Sequence, residues 1–153
     1  MGFDLIAVAP VSADGENFHN TCWGWRPLWQ FLIEKCPGVL TDKQIELGGY
    51  NDGVLVDESQ CLEIAVRLER MLAKGEVKKY EKEYKKFQLE VPDEVCKFCH
   101  GTGKRNDKHL VGKCNVCRGS GKVRPFVCSY PFEESNVRGF VAFLNNCGGF
   151  EIW

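Results

Sequence analysis

The chain has 153 residues, 44% of them apolar, and a formal net charge of −1. That balance suits one globular domain with room for a small appended module, and it excludes a disordered chain, a second full-sized core and any apolar run of about 18 residues that would span a bilayer. Leu5–Ala13 imitates a secretory signal, but no Lys or Arg precedes it, Asp4 stands just upstream and Pro10 breaks it; Ile6 likewise stands where N-myristoylation at Gly2 needs Ser or Thr. A soluble, cytoplasmic protein with no membrane association is expected.

The elements are expected in this order. Phe3–Val8 is a β-prone run ended by Pro10 and the Ser12–Gly15 turn cluster. Pro27 suits the first turn of a helix reaching about Lys35, with Leu28, Phe31 and Leu32 on one face. Trp23, Trp25, Trp29 and Phe31 form an aromatic cluster read first as core, each indole needing a partner for its N–H, and otherwise as a ligand pocket beside Arg26, Asn51 and Asp52. Thr41-Asp-Lys-Gln44 has the form of a capping box, and Gly48, Gly49 and Asn51-Asp52-Gly53 mark a turn. Asp57 with Gln60 opens a helix in which Cys61, Ile64, Ala65, Leu68, Met71 and Leu72 recur at helical spacing up to Gly75. A second helix follows until Pro92, with Val77, Tyr80, Tyr84 and Phe87 inward and Lys78, Lys79, Lys82, Lys85 and Lys86 interleaved with acids on a solvent face.

Next come two pairs of cysteines, Cys96-Lys-Phe-Cys99 and Cys114-Asn-Val-Cys117. A CxxC turn grips one ion with two thiolates, and a second turn completes a tetrahedron, the set that zinc prefers. Cys96, Cys99, Cys114 and Cys117 are therefore the expected ligands of one structural zinc ion. Each pair runs on as His100-Gly-Thr-Gly103 or Arg118-Gly-Ser-Gly121, and the glycines suit a backbone that folds back past the sulfurs with positive φ, its amides aimed at the thiolates. A redox CxxC is the rival but lacks a thioredoxin-like setting, and an iron–sulfur centre is the alternative for the same spacing. His100, His109 and Cys128 lie nearby and read as bystanders; Cys22, Cys36, Cys61 and Cys147 read as small core residues. After this segment Val137, Phe140, Val141 and Leu144 give a last amphipathic helix stopped by Gly148 and Gly149, and Phe150–Trp153 is a strand expected to pair with Phe3–Val8. The expected fold is α+β and mostly helical: residues 1–92 plus 125–153 form a helical domain with a short terminal β ribbon, and residues 93–124 an inserted four-cysteine zinc hairpin.

CxxCxGxG written twice, CKFCHGTG and CNVCRGSG, resembles the zinc-binding repeat of DnaJ-type chaperones. Those carry four repeats and two zinc ions, so the likeness implies one ion here, and without a His-Pro-Asp tripeptide it implies no co-chaperone activity. The flanking segments MGFDL, WGWRPLW, GGYNDG and CGGFEIW resemble a family of small uncharacterised phage and prophage proteins. That likeness implies a mobile-element protein working in the host cytoplasm, and it carries over no catalytic residue.

Charge is divided unevenly. Residues 96–124 hold eight basic side chains, Lys97, Lys104, Arg105, Lys108, Lys113, Arg118, Lys122 and Arg124, against the single acid Asp107, so the remainder is strongly acidic. These eight are the expected partner-binding residues, with a solvated hairpin face as the plainer reading. No P-loop, dinucleotide fingerprint, HExxH or deaminase signature occurs, and four cysteines close a zinc shell, so a non-enzymatic binding protein is expected. Its partner is expected to be a host protein, such as a CRISPR effector or other defence nuclease that a phage protein inhibits. The alternatives are a nucleic acid gripped through its phosphates with Phe98 stacking, and chaperone-like capture of unfolded polypeptide.

Overall fold

The computed structural model describes residues 2–153. Five α-helices and a small antiparallel sheet make an α+β fold. Its elements are β1 (Gly2–Ala7), β2 (Asn17–Thr21), α1 (Cys22–Lys35), α2 (Asp42–Leu47), β3 (Val54–Val56), α3 (Glu58–Ala73), α4 (Glu76–Glu90), β4 (Glu94–Val95), β5 (Lys104–Asp107), β6 (Leu110–Lys113), β7 (Lys122–Val123), α5 (Glu134–Leu144) and β8 (Phe150–Ile152). The chain divides into two compact units, one made of the chain up to Lys85 with Tyr130–Trp153, the other of Lys86–Ser129. No helix among the described residues is long and apolar enough to cross a membrane.

In the larger unit β1 pairs antiparallel with β8, Leu5 opposite Ile152 and Ala7 opposite Phe150, which is the pairing expected between the two ends. The ribbon is nevertheless the centre of a four-stranded sheet, ordered β2-β1-β8-β3. Alternation along the strands turns Phe3, Leu5, Val54, Val56, Phe150 and Ile152 into the core and leaves Asp4, Ile6 and Leu55 outside. Strand β2 had no apolar period to betray it, since only Phe18 and Asn20 face inward, and β3 is three residues long.

Helix α1 begins earlier than expected. Thr21 caps it by accepting from the Gly24 amide at 3.2 Å, so Pro27 lies inside the helix and not in its first turn, where its missing N–H costs one backbone hydrogen bond. Trp25, Trp29 and Phe31 are core, and the two indoles donate to the carbonyls of Gly48 at 2.7 Å and Ile45 at 3.1 Å. Gly48 has to be glycine, because a Cβ there would sit 2.0 Å from the Trp29 ring. Trp23 departs from the core reading: it is 39% exposed and packs on Tyr130, with ring centroids 5.0 Å apart. Arg26 donates to the Tyr130 hydroxyl, Asn51 to the Gly2 carbonyl, and Asp52 is exposed.

Both capping boxes form, and their glutamines meet. The Gln44 amide donates to Leu55 O and to Gln60 Oε1 at 2.7 Å, while the Gln60 amide donates to Val39 O and back to Gln44 Oε1 at 2.9 Å. Helix α3 then buries Cys61, Ile64, Ala65 and Leu68, and α5 buries Val137, Phe140, Val141, Phe143 and Leu144. On α4 Val77 is buried and Tyr80 and Tyr84 pack around Phe132, but Phe87 is 53% exposed and not inward as expected. Pairs four residues apart, such as Lys79–Glu83 and Lys86–Glu90, line the solvent face of that helix. Cys36, Cys61 and Cys147 are buried in the core, and Cys22 is half-buried against it.

Candidate metal centre

The smaller unit is built from the two cysteine-glycine repeats, which fold alike. In the first, the amides of Gly101 and Thr102 bond back to the carbonyls of Cys96 and Cys99 at 3.3 and 3.0 Å; in the second, Gly119 and Ser120 do the same to Cys114 and Cys117 at 3.2 and 3.1 Å. The repeats also exchange bonds: Cys96 N–H donates to Gly121 O and Cys114 N–H to Gly103 O, both at 2.9 Å. The hydroxyls of Thr102 and Ser120 lie within 2.8 Å of the carbonyls of Lys104 and Lys122, tying each turn to the strand that leaves it. Strand β4 pairs with β7, and β5 with β6.

The glycines have the role their spacing implied. Gly101, Gly103, Gly119 and Gly121 all have φ between +73° and +85°. A Cβ on Gly103 would fall 2.3 Å from Gly119 O, and one on Gly121 2.2 Å from Gly101 O, so the two turns cross where no side chain fits. The freed amides of Gly103 and Gly121 donate to the sulfurs of Cys99 and Cys117, each at 3.3 Å.

The outcome is four buried cysteines, Cys96, Cys99, Cys114 and Cys117, whose Sγ atoms all lie within 4.8 Å of one another. Cys96 and Cys114 sulfurs are 3.9 Å apart and Cys99 and Cys117 sulfurs 3.6 Å, too far for a disulfide. Four soft donors converging on one point can hold one metal ion, and the cluster fits a zinc-binding module. Burial pushes the Cys117 thiol up, but the Gly121 amide and the neighbouring Cys114 and Cys99 sulfurs outweigh it and bring its pKa down to about 6, which favours the metal-binding thiolate. Among the described residues this ligand group contains only the four cysteines. His100 and His109 are exposed, and half-buried Cys128 has its sulfur 3.6 Å from Gln88 O.

The eight basic residues separate into two sets. Arg105 bonds to Asp107 at 2.7 Å and to Asn115, with its guanidinium 5.7 Å above the Phe98 ring, and with the His109 amide it holds the Asp107 carboxyl below its usual range. Arg124 is tied to the Val91 and Gln88 carbonyls and to Asp93. These two brace the unit. Lys97, Lys104, Lys108, Lys113, Arg118 and Lys122 are exposed. A groove of about 250 Å³, lined by Val95, Phe98, Val116, Val123 and Phe126, was not foreseen from the sequence. The signal for it was available: Phe98 and Val116 hold the same place before the second cysteine of each pair, where a solvated turn would carry polar residues. Comparison with models of protein families, with curated proteins and with solved structures finds no match for this chain.

Proposed function

We propose that this is a non-enzymatic zinc-binding protein that acts by docking on a macromolecular partner through its metal module. The observation that carries the reading is the closed shell of four sulfurs. Zinc bonded to four thiolates at about 2.3 Å places them about 3.8 Å apart at tetrahedral angles, and the separations of 3.9 and 3.6 Å agree with that edge length. Four protein ligands leave no position for a substrate, so the ion organises the fold and does no chemistry. The residues around it hold and orient the thiolates: Gly103 and Gly121 donate to sulfur, and the same glycines let the two turns cross beside the buried cluster.

The groove between the repeats favours a protein partner, since exposed Phe98 and Val116 offer a recess for an apolar side chain. The resemblance to phage proteins makes a host protein the partner class, with a defence nuclease such as a CRISPR effector the first to try. Elemental analysis of the purified chain should give one zinc per molecule; iron, or no metal, would overturn the metal assignment. Affinity purification from host lysate should recover a stoichiometric protein that Phe98→Ala releases. Recovery of no such protein would remove the docking reading, and suppression of aggregation of many denatured clients would replace it with chaperone-like capture.

A further inference from the structure

The two repeats share one scaffold, so each position in one has a counterpart in the other, and the pair allows a comparison of what the fold needs with what it merely carries. Strand pairing sets Val95 opposite Lys122 on one side of the unit and Lys113 opposite Lys104 on the other. The residue after the second cysteine is His100 in the first repeat and Arg118 in the second, in the same left-handed conformation with φ of 52° and 51°. A Cβ on Gly101 would lie 3.3 Å from Val95 Cγ1, and one on Gly119 2.7 Å from Lys113 Cε, so Lys113 runs over the glycine beside Arg118 as Val95 does over the glycine beside His100. One side therefore presents valine, histidine and lysine; the other presents three permanent cations.

Nothing in the fold asks for those cations. Among the described residues the side chains of Lys104, Lys113 and Arg118 make no ion pair. Like charges directly across a strand pair destabilise it, and the left-handed position of Arg118 suits glycine better than arginine. The valine side shows that the same turn closes without them. We propose that Lys104, Lys113 and Arg118 form a phosphate-binding patch that grips the backbone of a nucleic acid. Charge favours this over an acidic protein segment: a nucleic-acid strand carries a phosphate at every nucleotide and releases condensed counterions when it binds, whereas a peptide is acidic only where its sequence places Asp or Glu and turns a side chain to one face only every about 6.6 Å. Paired lysines with a neighbouring arginine suit the uninterrupted run of charge. The inference rests on the metal module being formed, and not on the protein partner.

The test uses the zinc-loaded full chain and a labelled single-stranded oligonucleotide, with fluorescence anisotropy read over a salt series. Lys113→Val with Arg118→His writes the first repeat's residues into the second, a combination the scaffold already accommodates. It should weaken binding about tenfold and lower the slope of log affinity against log salt by about 1.4, the effect of two lost phosphate contacts. Lys97→Gln with Lys108→Gln removes the same charge elsewhere on the unit and should change affinity far less. Equal losses from the two variants, affinity indifferent to salt, or poly-glutamate binding as tightly as the oligonucleotide would each overturn the proposal. Zinc content measured on every sample separates the outcomes: a chain that holds zinc and binds no oligonucleotide sinks this inference alone, and one without zinc sinks the metal reading first.

Discussion

Burial pushes the Cys36 thiol up to about 11, and a hydrogen bond to Cys147 together with burial also raises that of Cys61. Cys117 moves from 9.0 to about 6, because backbone amides and neighbouring sulfurs overcome its desolvation. Cysteine is thus a buried apolar filler at Cys36 and a poised ligand at Cys117, and the difference is whether amides and neighbouring sulfurs offset its burial. A thiol whose folded pKa lies below its unfolded value favours the folded module fully above pH 9.0 and loses that contribution as pH falls through about 6. Below that range protons compete with the metal for the thiolates. A chromogenic metal-release assay should therefore show the ion held at neutral pH and freed as the buffer is taken below about 6; full retention two units lower would contradict the thiolate assignment. The four-cysteine cluster was readable in the sequence because chelation needs two donors per tight turn and glycine to close it. The roles of Arg105 and Arg124 were not, since a paired and an unpaired guanidinium are spelled alike.

Two capping boxes fused through their glutamines join α2 to α3. A capping box accepts Glu as readily as Gln at its third position, but here each side-chain amide also donates to its twin and to a backbone carbonyl. Gln60→Glu would keep the cap and lose both donated bonds, setting a carboxylate against Val39 O and Gln44 Oε1. A destabilisation of about 2 kcal/mol is expected from the unmade hydrogen bonds, read as a lower denaturant midpoint with α3 still helical; stability equal to the parent would show that the bridge carries no weight. Each box was legible because its two halves stand three residues apart, whereas their meeting joins positions 16 apart and has no local signature. The same distinction sorts the other elements. Helices α3 and α5 declared themselves by apolar residues every third or fourth position. Strand β2 did not, because Asn20 faces inward to donate to Asn136, 116 residues away. The start of α1 was hidden by Pro27, whose liking for first turns outweighed the Thr21 cap in a local reading.

Apolar burial is distributed very unequally between the two units. The larger holds a core of Trp25, Phe31, Phe132, Phe140, Phe143 and Phe150 with many aliphatic neighbours, while the buried cluster of the smaller is the four cysteines with Val123 beside them. A unit of that size with no apolar interior does not pay for its lost chain entropy by hydrophobic burial. In the proposed zinc-bound state metal coordination does so, since a structural zinc site supplies on the order of 10 kcal/mol. Removing the ion with a strong chelator should then unfold Lys86–Ser129 selectively. Amide hydrogen exchange would report it: the amides of Cys96, Gly103, Cys114 and Gly121, which bond across the repeats or to sulfur, should lose protection, while those of α1, α3 and α5 keep theirs. Protection lost everywhere would mean that the larger core depends on the metal too, and protection lost nowhere would mean that the crossing glycine turns hold themselves together. The selective result is the one the burial pattern leads to, because only the larger unit has an apolar interior, while the buried cluster of the smaller is its four cysteines.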